Sequence, residues 1–187
     1  MRFLKYSFGL LMFVVFLLLP TSVSAQKKAV VSLSPSPTTA PVDSYKLFWP
    51  VTAGKVMGDS MYFLKTLKEN LRETFIFSDI KKADYNMTLS EKRTVEAEKL
   101  FLDKKDHSNG KSSLEAAQAK REKAVSLLEK AQKDGRNIID GWNRMISSFG
   151  RQLTLITYLS SQVPDEQKAV LSESASKLNS ILSSLQQ

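Results

Sequence analysis

No cysteine occurs among the 187 residues, and the only histidine is His107. The first absence excludes disulfide staples and thiol chemistry, so ordinary apolar burial has to hold the fold. It also excludes a lipid-modified cysteine behind an export signal. The second leaves His107 without another imidazole, so a zinc site would have to be completed by carboxylates alone. No Gly-x-Ser-x-Gly turn is present to set a serine nucleophile beside that histidine. Long apolar runs are missing as well. Residues 8–19 form an uncharged stretch of about a dozen residues, whereas a membrane-spanning helix needs about 20.

Short as it is, that run has a recognisable setting. Arg2 and Lys5 precede it, Pro20 closes it, and Thr21-Ser22-Val23-Ser24-Ala25 follows. Val23 and Ala25 are the small residues that a signal peptidase pocket accepts. The expectation is a signal peptide over 1–25, cut between Ala25 and Gln26, and a secreted or extracytoplasmic product. The alternative is a chain anchored to the cytoplasmic membrane by an uncleaved N-terminal segment, the only case in which the sequence predicts membrane contact. The formal charge is +8, of which Arg2 and Lys5 would leave with the signal. Such a surplus favours anionic partners such as teichoic acid, anionic lipid or nucleic acid. A solvated helix surface is the simpler account of it, and no specific nucleic-acid contact is expected.

Residues 26–44 carry Pro35, Pro37 and Pro41 among Ser, Thr and Val, which reads as a disordered linker. A single all-helical domain is expected over 45–187. Its first residues, Tyr45-Lys46-Leu47-Phe48-Trp49-Pro50, gather three aromatics before a proline that disfavours helix. Tyr45, Phe48 and Trp49 are the candidate interaction surface, with coverage of an open bundle end as the competing role. Asp59 and Ser60 are candidate N-caps. Met61, Leu64, Leu67, Leu71 and Phe75 then recur at helical spacing, predicting a first helix over about 61–76. Ser78-Asp79 opens a second, about 78–103, whose face is Ile80, Ala83, Met87, Thr94, Ala97 and Phe101.

Asn109-Gly110 is a turn signal, and Ser112 with Glu115 has capping-box spacing. From there Leu114, Ala117, Arg121, Ala124, Leu128, Ala131, Gly135, Ile138, Trp142, Met145, Phe149, Gln152, Ile156 and Leu159 follow in steps of three and four. Only Arg121 and Gln152 break the row of apolar residues and glycine. The pattern predicts one long helix over 113–162, with any break near Phe149-Gly150. Pro164-Asp165-Glu166 starts a last helix, about 164–185. The fold class is therefore all-α: an elongated antiparallel helical hairpin or bundle with a coiled-coil-like third helix.

Enzymatic motifs do not survive inspection. Gly110-Lys111-Ser112 opens a helix, but Lys105 stands where a phosphate loop needs its first glycine. An EF-hand frame with Gly110 at its sixth place would begin on Lys105 and end on Ala116, neither of them a ligand. Asn86-Met87-Thr88 fits a glycosylation acceptor yet falls within a helix. Acidic and basic residues alternate as in solvated, salt-bridged helices, for example Lys120-Arg121-Glu122-Lys123. No catalytic residue, cofactor or metal ligand is expected.

Gly58-Asp59-Ser60-Met61-Tyr62-Phe63-Leu64-Lys65-Thr66-Leu67-Lys68-Glu69-Asn70-Leu71, Phe75-Ile76-Phe77-Ser78, Lys81-Lys82-Ala83-Asp84-Tyr85-Asn86 and Lys92-Arg93-Thr94-Val95-Glu96-Ala97-Glu98 form a distinctive series. It resembles the bacterial domain-of-unknown-function family DUF5667 over about residues 42–131. The resemblance implies an export signal and a bacterial source, and carries no catalytic residue with it. The sequence thus points to a non-enzymatic structural or interaction module in the cell envelope or exterior, with an unknown protein partner or a homo-oligomer. The alternative is a chaperone-like envelope-stress protein that holds unfolded chains, with Met57, Met61, Met87 and Met145 supplying adaptable contacts.

Overall fold

The computed structural model describes residues 41–186; the expected signal peptide, the Ala25-Gln26 cleavage point and most of the linker lie outside the described residues. Every regular element among them is an α-helix: α1 Ser44–Phe48, α2 Tyr62–Thr74, α3 Asp79–Leu102, α4 His107–Lys133, α5 Ile139–Gln162 and α6 Asp165–Leu185. None of these helices is long and apolar enough to cross a membrane.

The start of the domain differs from expectation. Asp43 caps α1, its carboxylate accepting from the backbone N–H groups of Tyr45 (3.0 Å) and Lys46 (3.3 Å). Pro50 disfavours helix only at the residue before it, Trp49, which is extended (φ −44°, ψ 131°) just past the helix end. Neither Asp59 nor Ser60 caps α2. Met61 holds that place in the left-handed region (φ 65°), while Asp59 accepts from the Val56 N–H at 2.8 Å and pairs with Lys104.

The expected helix over 113–162 is two helices. α4 begins earlier, at His107, because Asp106 accepts from the Asn109 N–H at 3.1 Å. Asn109-Gly110 therefore lies in its first turn, and Ser112 does not cap it. α4 ends at Lys133, two residues before Gly135 and not near Gly150, through which α5 runs without a break. Gly135 takes φ +74°, its N–H donates to Gln132 (2.9 Å), and the Arg136 N–H donates to Ala131 (3.0 Å). These paired bonds close a helix around a left-handed residue, and glycine takes that conformation without steric cost. The Asp134 to Asn137 stretch is polar enough to lie in water, whereas the surroundings of Gly150 are core.

Contacts fix the neighbours. Phe101 touches Gly110 and Asp79 pairs with Lys130, so α3 and α4 run antiparallel. Asp84 with Arg144 and Thr94 with Gln152 align α3 and α5 in the same direction. α6 packs on α5 and, less extensively, on α4. The core draws Ala83, Val95 and Phe101 from α3, Leu114 and Leu128 from α4, Phe149 and Ile156 from α5, and Leu171 and Leu178 from α6, and Phe48 joins it. Every position of the sequence row from Leu114 to Leu159 is buried except Gly135, so one face continues across the break. Its two polar members meet: the Arg121 Nε donates to Gln152 Oε1 at 2.8 Å.

Gly110 presses against the Phe101 ring, and a Cβ built there would lie 2.8 Å from Phe101 Cε2. Phe101 is itself buried and has nowhere to move. Gly110→Ala is expected to destabilise the fold by about 1–3 kcal/mol in urea unfolding despite alanine's better helix propensity. A stability gain would show that the ring yields freely.

Candidate functional site

α2 supplies nothing to the apolar core. With 3.6 residues per turn its apolar row of Leu64, Leu67, Leu71 and Phe75 lies on one side and Tyr62, Lys65, Glu69 and Glu73 lie on the other. The polar side is the one that faces the body. Glu69 and Glu73 are 7% and 6% exposed, less than many apolar residues of the chain.

A network of charges takes the place of apolar packing. Glu69 accepts from Lys92 at 2.6 Å and pairs with Arg93. Arg93 also holds Glu96 at 2.5 Å, and Glu96 accepts from the Tyr62 hydroxyl at 3.0 Å and pairs with Lys65. Lys65 reaches on to the Ala53 carbonyl at 2.8 Å, tying the loop before α2 to the same cluster. At the far end Glu73 binds Lys123 at 2.5 Å, Lys120 at 3.0 Å and the Asn86 amide at 2.9 Å. α2 is thereby bound to both α3 and α4. Arg93 lies over the Tyr62 ring at 5.6 Å and Arg72 over the Tyr85 ring at 5.2 Å, cation–π contacts that close the two sides of the network.

The ionisation of these groups follows from this geometry. Burial pushes the Glu73 carboxyl up, but the hydrogen bonds from Lys123, Asn86 and Lys120 outweigh it and hold Glu73 at about 2. Burial also opposes Glu69, and Lys92 and Arg93 still bring it below the ordinary carboxylate range. Lys65 goes down because burial outweighs the pull of Glu96. Charge is not balanced here. Lys65, Lys68, Arg72, Lys92, Arg93, Lys120 and Lys123 stand against Glu69, Glu73 and Glu96, a surplus of four on α2 and its ionic partners.

The consequence is on the outside. Leu67 and Leu71 are each 52% exposed, Phe75 72%, and Phe77, just beyond the helix, 89%; Met61, Phe63 and Leu64 are exposed too. Soluble chains scatter such residues singly, whereas a contiguous row marks a contact surface. Lys68 and Arg72 border the row, and no carboxylate of α2 is exposed.

The aromatics expected to form a surface are divided. Phe48 is in the core, while Tyr45 and Trp49 are exposed and meet edge to face at 4.8 Å between ring centroids. Sequence periodicity found the α2 row but not its direction. A signal was present in Glu69 and Glu73, four residues apart opposite the leucines, and in the basic pairs Lys92-Arg93 and Lys120 with Lys123.

His107 opens α4, half-buried, with its ring 5.7 Å from that of Phe101. Asn86 is wholly buried against Glu73, so the folded chain does not present it as a glycan acceptor. Among the described residues no group of three or more His, Cys, Asp or Glu side chains is placed to hold a metal ion. No protein-family model, curated protein or solved structure matches the chain.

Proposed function

We propose that this chain is a non-enzymatic exported interaction module of the bacterial envelope or exterior, and that it attaches through the outward row of α2. The observation that carries this reading is the exposed series Leu64, Leu67, Leu71 and Phe75 on a helix whose charged side is turned inward. Burying a leucine is worth about 1.5–3 kcal/mol, so a folded chain that leaves the row in water has a strong gain available on contact. The DUF5667-like series spans this helix and the residues of α3 that bind it, in keeping with a shared interaction unit. Capture of unfolded chains has weaker support. Met145 is buried, and Met57 and Met87 are half-buried, so the methionines do not assemble one adaptable surface.

The test is fractionation of producing cells. The native chain is expected with the envelope, and Leu67→Glu with Leu71→Glu is expected to release it. Urea unfolding of the purified double variant should differ by no more than about 0.5 kcal/mol per site, because both side chains already face solvent. Undiminished envelope association of a folded double variant would end this reading.

A further inference from the structure

We propose that the occupant of the α2 row is an anionic phospholipid surface, on which α2 lies flat as an interfacial helix. This deepens the attachment reading above and rests on it. Three observations select lipid. The row is apolar and aromatic, with Phe63 near one end and Phe75 and Phe77 at the other, all exposed. Its border carries Lys68 and Arg72 and no exposed carboxylate of the helix. The buried network below adds to this charge, leaving α2 and its ionic partners with a surplus of four.

An interfacial helix has this composition: an apolar side that enters the boundary between headgroups and acyl chains by about 5–10 Å, and cations placed to meet anionic headgroups. The inward-facing carboxylates are as informative as the cations. On an ordinary surface helix Glu69 and Glu73 would face water and repel anionic lipid; here Lys92, Arg93, Lys120 and Lys123 neutralise both.

A second copy of the chain fits less well. Stripe-to-stripe pairing of two α2 helices would bring together surfaces bordered by the same Lys68 and Arg72, with no exposed α2 carboxylate to compensate them. The chain before Pro41 also carries the apolar run of residues 8–19, whose expected export role brings the protein to a membrane.

The experiment is flotation with vesicles, using the chain from Gln26 onward. That form keeps every core residue, since the core runs from Val42 to Leu185, and removes the apolar run of residues 8–19, which would bind vesicles by itself. Vesicles of phosphatidylglycerol mixed with phosphatidylcholine are expected to bind it about tenfold or more tightly than phosphatidylcholine alone, with binding weakened by salt. Lys68→Glu with Arg72→Glu should lower that binding by at least about tenfold, and Leu67→Glu with Leu71→Glu should abolish it.

Absence of binding to anionic vesicles, or equal binding by these variants, overturns the lipid assignment. If the leucine variant is then still released from the envelope of cells, α2 attaches to a protein and the functional reading stands without lipid. A dimer in sedimentation that the leucine substitutions dissolve would assign the row to a second copy and likewise overturn lipid. If neither vesicle binding nor envelope association responds, both readings fall together.

Discussion

Arg121→Ala is expected to destabilise the chain by about 3–5 kcal/mol, read as a lower urea midpoint at unchanged slope. Arg121 is fully buried between α3, α4 and α5, and among the described residues no carboxylate pairs with its guanidinium, Glu122 acting only at a distance. It donates instead to neutral oxygens: Gln152 Oε1 at 2.8 Å, Thr94 Oγ1 at 3.0 Å and Gln118 Oε1 at 3.2 Å. Burial pulls its pKa down to about 9, so it stays cationic at neutral pH at a real desolvation cost. What the side chain contributes in return is volume and order. Its removal leaves a cavity between three helices.

Methionine separates volume from charge. Arg121→Met fills much of the same space without a buried charge, and the Thr94 hydroxyl, 2.9 Å from the Ser90 carbonyl and 3.1 Å from Gln152 Oε1, can turn its one proton to Gln152. Even paired buried charges can often be replaced by apolar groups of similar volume at little cost or with a gain, because their desolvation is expensive. Arg121→Met is therefore expected to lie within about 1.5 kcal/mol of the native chain. A loss as large as that of alanine would mean that the hydrogen bonds, not the packing, hold this layer together.

The second large effect belongs to the α2 network. Glu73→Ala is expected to cost about 2–3 kcal/mol, below the value for a wholly buried pair because Lys123 is half in water and can be rehydrated. Asn86 is wholly buried, and its amide would lose the Glu73 acceptor at 2.9 Å and keep only its bond to the Lys82 carbonyl, also at 2.9 Å. Acid has the same target. The folded-state pKa of Glu73, about 2, lies below its ordinary 4.5, so the folded chain holds its proton less tightly than the unfolded chain does. The resulting stability is present above about pH 4.5 and is lost as pH falls from there through about 2. Its size is on the order of 2 kcal/mol once screening by water around Lys123 is allowed for.

Urea midpoints measured from pH 7 down to pH 2 should therefore fall more steeply for the native chain than for Glu73→Ala, with Glu69 and other carboxyls held low, such as Asp59 and Asp106, supplying the slope that remains. Parallel profiles would show that Glu73 is not ionised against Lys120 and Lys123 in the folded chain. Glu73→Ala should free the far end of α2 while Glu69 and Lys65 still hold the rest to α3, so vesicle binding by this variant reads whether that end must be held apolar side out.

From the residues alone, helical class and the buried faces of α3 to α6 were legible, because three- and four-residue spacing has only one geometric meaning. The row from Leu114 to Leu159 names core positions correctly on both sides of a break it does not reveal. Even its two polar exceptions, Arg121 and Gln152, are buried with the rest. The start of the last helix at Pro164-Asp165-Glu166 was equally plain, since proline and early acids favour the first turn.

Tertiary structure decided the rest. Gly135 ends α4 and Gly150 leaves α5 intact because one lies in a polar stretch that water can solvate and the other in a helix locked into the core. Asp106 prevailed over the Ser112 capping box because its carboxylate accepts from the Asn109 N–H at 3.1 Å, and the helix is already under way where Ser113, buried, donates its hydroxyl to the Arg93 carbonyl at 2.9 Å. Most of all, an amphipathic helix does not say which side it will bury. α2 could have joined its leucines to the core; Lys92, Arg93, Lys120 and Lys123 draw its carboxylates inward instead, and those cations come from helices that sequence spacing cannot bring together. Periodicity established that α2 has two faces, and only the long-range charge pairing determined which of them the protein shows to its surroundings.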